Sequence, residues 1–213
     1  MATPSTWPLV IADYRTWMLA ATLSPNTIDL RVYQLHRLAR TFPDPWAITS
    51  HELATWLAGH GWSASTIRCW RSTLGSFYGW AVTTRRIRYS PTAELPRAPR
   101  VRLRPRPAPD AVVEEAIRTA RPRTAVMIRL ARHVGLRRGE IAIIKDSDLY
   151  LENDGWWVLV HGKGNKDRWV PIPAGLVEQI RVWMGERVGF VFPGQIEGHL
   201  APASVGRLVS RHL

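Results

Sequence analysis

Two short segments near the middle of the chain carry the residue types best suited to chemistry. Residues 135–140 read GLRRGE, and they place Arg137 at a tight turn that begins a helix. Residues 161–171 read HGKGNKDRWVP, a glycine-rich hairpin tip with Lys163, Lys166 and Arg168 between strand-forming residues. A guanidinium can bind two phosphate oxygens at once, and a lysine at a hairpin tip can approach a bound anion closely. The two segments together therefore suit a phosphate-bearing ligand.

The overall charge points to the same class of partner. The chain has 213 residues, a formal net charge of +12, and arginine at 26 of its 29 basic positions. Such a balance is typical of proteins that bind polyanions, although a biased genomic composition also raises the arginine content. With 46% apolar and 22% charged residues, the sequence predicts a globular protein rather than a disordered one.

Several classes of protein are disfavoured by the composition. No run reaches the ~18 apolar residues of a membrane span, and residues 1–10 lack the basic head and apolar core of a signal peptide. The single Cys69 excludes an intramolecular disulfide and is compatible with a reducing compartment. With one cysteine and scattered histidines, the sequence argues against a zinc site, and we expect no metal.

The first part of the chain, residues 1–90, is predicted to be all helical. Ser24 followed by Pro25 signals a helix start, and Thr49 with Glu52 forms a potential capping box. Ser63 or Ser65 opens a longer helix. Apolar residues recur at helical spacing after each start, while Arg31, Gln34 and Arg40 fall on other faces. Three to four short helices of this kind predict a compact all-α domain.

Residues 91–109 are predicted to be a stiff, cationic linker. The stretch from 85 to 107 holds eight arginines, five prolines and one acidic residue, Glu94. An ordinary solvated connector has a similar composition, but the excess of positive charge favours contact with a phosphate backbone. The arginines chosen as DNA-binding candidates lie in this linker and in the helix before it: Arg68, Arg71, Arg100, Arg102 and Arg104.

Residues 110–213 are predicted to be a mixed domain. Asp110 is expected to cap one helix and Pro122 to begin another, which runs up to the turn at Gly135. Alternating strand-like runs at 148–152, 156–160 and 168–171 surround an Asn-Asp-Gly turn and the glycine-rich tip. Two further helices follow. The predicted fold is mainly α with a small antiparallel β-sheet.

The order of these parts resembles the tyrosine recombinases, the phage integrase family that cuts and rejoins DNA. The resemblance rests on GLRRGE, on the HGKGNKDRWVP stretch 26 residues later, and on residues 63–92 with their SAST…FYGWA…SPT pattern. It implies an N-terminal all-α core-binding (SAM-like) domain and a partial integrase-like α+β catalytic domain. It also implies site-specific integration or excision of phage or mobile DNA, a double-stranded core-type site as partner, a cytoplasmic location in a bacterium or phage-infected host, and no cofactor.

By this resemblance, Arg137 and Lys163 are catalytic candidates. Arg137 would stabilise charge on the non-bridging phosphate oxygens, Lys163 would protonate the departing 5′ oxygen, and Glu140 would orient the arginine. Lys166 and Arg168 would clamp the DNA backbone. The plainer alternatives are a surface arginine at a helix start and a solvated hairpin lysine. Tyr150, in a predicted strand, is expected to be packed rather than nucleophilic.

The second half of the family's active site was not found in these residues. The family supplies a His-x-x-Arg motif, a nucleophilic tyrosine and a C-terminal helix that joins neighbouring protomers in a tetramer, whereas the last tyrosine here is Tyr150. We therefore expect a chain truncated before its nucleophile, which binds DNA without strand transfer. A regulator that occupies recombination sites, or a decayed gene product, would have the same sequence features.

Overall fold

A computed structural model of the chain describes residues 7–97, 99, 107–162 and 166–213. Its contacts divide the chain into two units, residues 1–104 and 105–213, and each is described by itself below. The described residues are mainly helical with one three-stranded antiparallel sheet, which confirms the predicted fold class. None of the described helices has an apolar stretch long enough to cross a membrane.

The described helices of the first unit are α1 Trp7–Ala20, α2 Pro25–Ala39, α3 Ser50–Ala58 and α4 Ala64–Thr83. Three of them, α2 to α4, begin at local signals in the sequence. The capping box before α3 is complete, because the Thr49 hydroxyl accepts from the Glu52 N–H and the Glu52 carboxylate accepts from the Thr49 N–H. The Ser63 hydroxyl accepts from the Thr66 N–H and so caps α4. Ser63 rather than Ser65 therefore opens that helix.

Aromatic side chains fill the core of the first unit. Phe77 on α4 is fully buried, with the rings of Trp7 and Tyr14 from α1 against it at centroid distances of 5.7 and 5.3 Å. Gln34 departs from the predicted pattern because it is buried rather than on a solvent face. Its amide oxygen accepts a hydrogen bond from the hydroxyl of Thr73, so the polar group is satisfied inside the core.

The second unit surrounds its sheet with short helices. Its helices are α5 Asp110–Thr119, α6 Pro122–His133, α7 Arg138–Ile143, α8 Ala174–Met184 and α9 Pro202–Ser210. Its strands are β1 Leu149–Glu152, β2 Gly155–His161, β3 Asp167–Pro171 and the short β4 Pro193–Ile196, with a 3-10 turn at Asp146–Asp148 before β1. Asp110 is the first helical residue of α5, and Pro109 holds the capping position predicted for Asp110.

The sheet has the order β1-β2-β3 and two unlike faces. Because side chains alternate along a strand, Val158 and Val160 point into the core while their neighbours point out. In the register, Val158 pairs with Val170 and Val160 pairs with Arg168, which places Arg168 on the core-facing side. The opposite face carries exposed aromatic rings.

Candidate functional site

Arg137 lies at the N-terminus of α7, immediately after the turn that the sequence predicts. Gly135 has a φ of +69°, a conformation that glycine adopts without strain, and Leu136 anchors the turn in the core. The backbone N–H of Arg137 donates to Glu140 Oε2 at 2.8 Å, and its Nη1 donates to Oε1 at 2.9 Å. The arginine side chain nevertheless remains 78% exposed. One terminal nitrogen of the guanidinium therefore bonds to Glu140, while the rest of the group is accessible to a ligand.

Glu140 is the buried centre of this arrangement. Its side chain is only 8% exposed, and it also accepts two hydrogen bonds from Arg168, from Nη1 at 2.8 Å and from Nη2 at 2.9 Å. The bidentate bond from Arg168, aided by the bonds from Arg137, lowers the pKa of Glu140 to about 2 against the opposing effect of burial. The same pairing raises the pKa of Arg168. The carboxylate is therefore charged at neutral pH and joins α7 to β3.

A second buried carboxylate lies in the turn that precedes β1. Asp148, in the 3-10 turn, accepts the backbone N–H of Lys145 at 2.8 Å, as Glu140 accepts that of Arg137. Its other oxygen lies 3.3 Å from Nε2 of His161, the last residue of β2. Nδ1 of His161 lies 3.1 Å from a carboxylate oxygen of Asp167 on β3. Glu140, Asp148 and His161 line one narrow cleft.

The backbone at the base of the hairpin requires glycine at position 162. The Gly162 N–H donates to the carbonyl oxygen of Lys166 at 3.2 Å, and a Cβ at 162 would overlap that same oxygen. Any larger residue would have to push the two strands apart. The base of the tip is thus closed by close backbone contact.

The structure describes only some of the residues proposed from the sequence. Lys163 lies outside the described residues, as do the linker candidates Arg100, Arg102 and Arg104. Arg137, Glu140 and Arg168 form one connected group, and Lys166 is exposed beside it. Arg68 and Arg71 are half-buried on α4 of the first unit. Their DNA-binding role remains a prediction.

Sequence reasoning missed Asp148 and His161, and it assigned Arg168 to DNA. One signal for Arg168 was present: it has the same parity in β3 as the core-facing Val170. A charged residue on the inner face of a sheet needs a buried partner of opposite charge. The signal for Asp148 was its position three residues after Lys145, the same spacing as Glu140 has from Arg137. This is the spacing between the N-cap and N3 residues of a capping box.

The arrangement can bind an anion. Two guanidinium groups and one carboxylate leave a net positive charge, and Arg137 has N–H donors beyond those that bond to Glu140. Because Glu140 fixes the position of Arg137, the donors are oriented before a ligand arrives. Among the residues that the structure describes, no cluster of three or more histidine, cysteine or acidic side chains could hold a metal ion.

Comparison of the sequence with known proteins identifies a matching family and several relatives. The model of the phage integrase family matches residues 110–212. The tyrosine recombinase XerA of Thermococcus onnurineus is 29% identical over 186 residues, which cover 84% of this chain and 62% of the relative. XerC of Xanthomonas campestris pv. campestris is 32% identical over 154 residues, which cover 68% of this chain and 47% of the relative. The chain thus spans about half to three fifths of the length of these curated relatives.

Solved structures share the fold. A lambda integrase dimer bound to a COC′ core site superposes with a TM-score of 0.75 at 19% identity, covering 95% of this chain and 61% of that one. The XerH recombinase bound to its difH substrate in a post-cleavage complex gives a TM-score of 0.63 at 20% identity, covering 88% and 62%. At such identities the likeness establishes the fold alone. The family match and the Xer relatives, by contrast, show that the chain belongs to the phage integrase family of tyrosine recombinases.

Proposed function

We propose that this chain binds double-stranded DNA at a core-type recombination site and places Arg137 on the phosphate at which strands are exchanged. The observation that carries the proposal is the exposed guanidinium of Arg137, which donates a hydrogen bond to the buried carboxylate of Glu140. A net charge of +12 supports a polyanionic partner. The lambda integrase and XerH structures that share this fold contain such DNA.

The chemistry of the family is phosphoryl transfer without a metal or nucleotide cofactor. As a nucleophile attacks the phosphorus, negative charge gathers on the non-bridging oxygens, and a preoriented arginine stabilises that charge most strongly where water is excluded. Arg137 has this role in the proposal, and Glu140 orients it. Lys163 is the proposed general acid for the departing 5′ oxygen. Lys166, Arg68, Arg71 and the linker arginines are proposed to contact the DNA backbone.

For the 213 residues alone, we propose DNA binding without strand transfer. The last tyrosine in the sequence is Tyr150, on β1, whose ring packs edge-on against Trp169 at a centroid distance of 4.8 Å. The residue is nevertheless 42% exposed on the outer face of the sheet, so the expected packing is limited to this edge contact. A polypeptide of this kind would occupy sites that an intact recombinase needs, which is the second candidate function. The lambda integrase structure with a Holliday junction is a tetramer, and assembly of protomers on DNA is part of the proposal for the whole recombinase.

A suicide DNA substrate tests both halves of the proposal. The wild-type chain is expected to bind the duplex with an affinity that falls steeply with salt and to form no covalent adduct. Arg137→Gln is expected to weaken binding, whereas Arg118→Gln is the matched control, because Arg118 is an exposed arginine already paired with Glu115. A covalent protein–DNA adduct would overturn the proposed absence of strand transfer. Equal binding by both variants would overturn the role of Arg137.

A further inference from the structure

We propose that Arg168 and His161 are positioning residues, which fix the facing ends of β3 and β2 through two buried carboxylates: Glu140 joins Arg168 to the Arg137 turn, and Asp148 joins His161 to the turn before β1. The inference rests on the proposed function in one respect, because the tip contains Lys163. It replaces a direct DNA contact for Arg168 with an internal one. It also gives His161 a role that the sequence did not suggest.

The pair of Arg168 and Glu140 is the first of two anchors, and it holds β3. Both terminal nitrogens of Arg168 bond to Glu140, at 2.8 and 2.9 Å, so the fork of the guanidinium that would grip a phosphate faces the carboxylate instead. Glu140 also holds the backbone and the side chain of Arg137. One carboxylate therefore sets the distance between the arginine turn and the strand that follows the tip.

The second anchor holds β2 in a similar way. Asp148 bonds to the backbone N–H of Lys145 with one oxygen and contacts His161 with the other. His161 is the last residue before Gly162, and Arg168 lies two residues after Lys166. The register pairs His161 with Asp167 and Val160 with Arg168, so the two anchors belong to successive cross-strand pairs at the same end of the hairpin. Both strands are therefore held by a buried carboxylate at the ends that flank the tip.

The burial of the two acids supports positioning rather than DNA contact. Glu140 and Asp148 are among the few buried charged residues of the described chain. Removing a buried carboxylate from water is unfavourable unless its bonds are satisfied, and here each acid bonds both to a backbone N–H and to a side chain of the hairpin. A phosphate that drew Arg168 away would break its two bonds to Glu140.

The lysines of the chain offer a direct readout of the tip. Only Lys145, Lys163 and Lys166 occur in the sequence, so reductive ¹³C-methylation gives few lysine signals, which Lys→Arg variants can assign. The full chain would be compared with Arg168→Lys, Arg168→Gln and Asp148→Asn. Arg118→Lys is the matched control, since Arg118 also forms a two-bond pair with a glutamate, but on the exposed surface of α5.

In the free protein, we expect the Lys163 signal to shift in all three anchor variants and to stay unchanged in Arg118→Lys. With a core-site duplex, Arg168→Lys and Arg168→Gln should lose affinity to the same extent, within about twofold, because lysine keeps the charge but not the fork. An unshifted Lys163 signal, or full rescue of binding by Arg168→Lys, would overturn the inference in favour of a DNA clamp.

The two readouts separate this inference from the proposed function. If the wild-type chain binds no DNA, the proposed function fails, while the signal of the free protein still tests the anchors. If the Arg168 variants do not fold, Asp148→Asn tests the other strand, because asparagine keeps an oxygen for the Lys145 N–H. An unchanged Lys163 signal in folded Asp148→Asn would then count against the inference.

Discussion

Replacing Glu140 by glutamine should destabilise the second unit in a way that depends on pH. The carboxylate has a pKa of about 2 in the folded protein and an ordinary value of 4.5 when unpaired. That gap corresponds to about 3 kcal/mol of stability at neutral pH, since each pKa unit is worth about 1.4 kcal/mol. The exposure of Arg137 and the partial exposure of Arg168 place the real value nearer 2–3 kcal/mol.

The sign follows from the lowered pKa. Above about pH 5 the carboxylate is charged in both states, and the folded state gains the full benefit of its bonds. As the pH falls towards 2, the unfolded chain binds a proton before the folded one does, so the benefit disappears. At pH 3 only about 1 kcal/mol should remain. Glu140→Gln should therefore differ most from the wild type at pH 6–7 and least near pH 2.

Unfolding of the second unit can be followed separately with fluorinated tryptophan. The tryptophans of residues 105–213 are Trp156, Trp157, Trp169 and Trp183, whose ¹⁹F signals report urea unfolding of that unit. Glu115→Gln is the control, because its exposed pair with Arg118 is worth at most about 1 kcal/mol. A loss of stability in Glu140→Gln that stays constant between pH 3 and 7 would refute the reasoning.

Two further substitutions test the hairpin and the first core. Gly162→Ala should destabilise the second unit by about 1–3 kcal/mol, because the new Cβ overlaps a carbonyl oxygen across the hairpin. Gly175→Ala is the control and should not destabilise the unit, because there is open space around that position. The same ¹⁹F experiment measures both variants. Tyr78→Phe should destabilise the first unit by about 1 kcal/mol through loss of its bond to the Pro45 carbonyl, while the exposed Tyr33→Phe should be neutral in urea unfolding of that unit.

The elements that the sequence predicts well are those specified by neighbours in the chain. The capping box at Thr49, the proline that begins α6 and the glycine turn at 135 each act within a few residues, so their signals are visible without tertiary contacts. The alternation of β2 is equally local. These features placed Arg137 at the start of a helix, where the structure has it.

The contacts that organise the site are not local, and the sequence did not reveal them. Arg168 meets Glu140 across 28 positions, and Gln34 meets Thr73 across 39, so each pairing exists only once the chain has folded. The sequence shows that a polar residue lies at an inward-facing position, but it does not show which residue will pair with it. In a chain so rich in arginine, the composition itself suggested DNA for Arg168, and only the parity of β3 argued otherwise.

The double use of Glu140 explains how a short helix can hold the guanidinium of Arg137 firmly. Helix α7 has only six residues, and a helix of that length gains little stability from its own hydrogen bonds. Its first turn is instead fixed by a buried acid that satisfies an end N–H and bonds to a strand 28 positions away. Because the same carboxylate bonds to Arg137, the interactions that stabilise the helix end also orient the guanidinium. Under the proposed function, the same few bonds support both the stability of the unit and the binding of DNA, so substitutions at Glu140 should change both together.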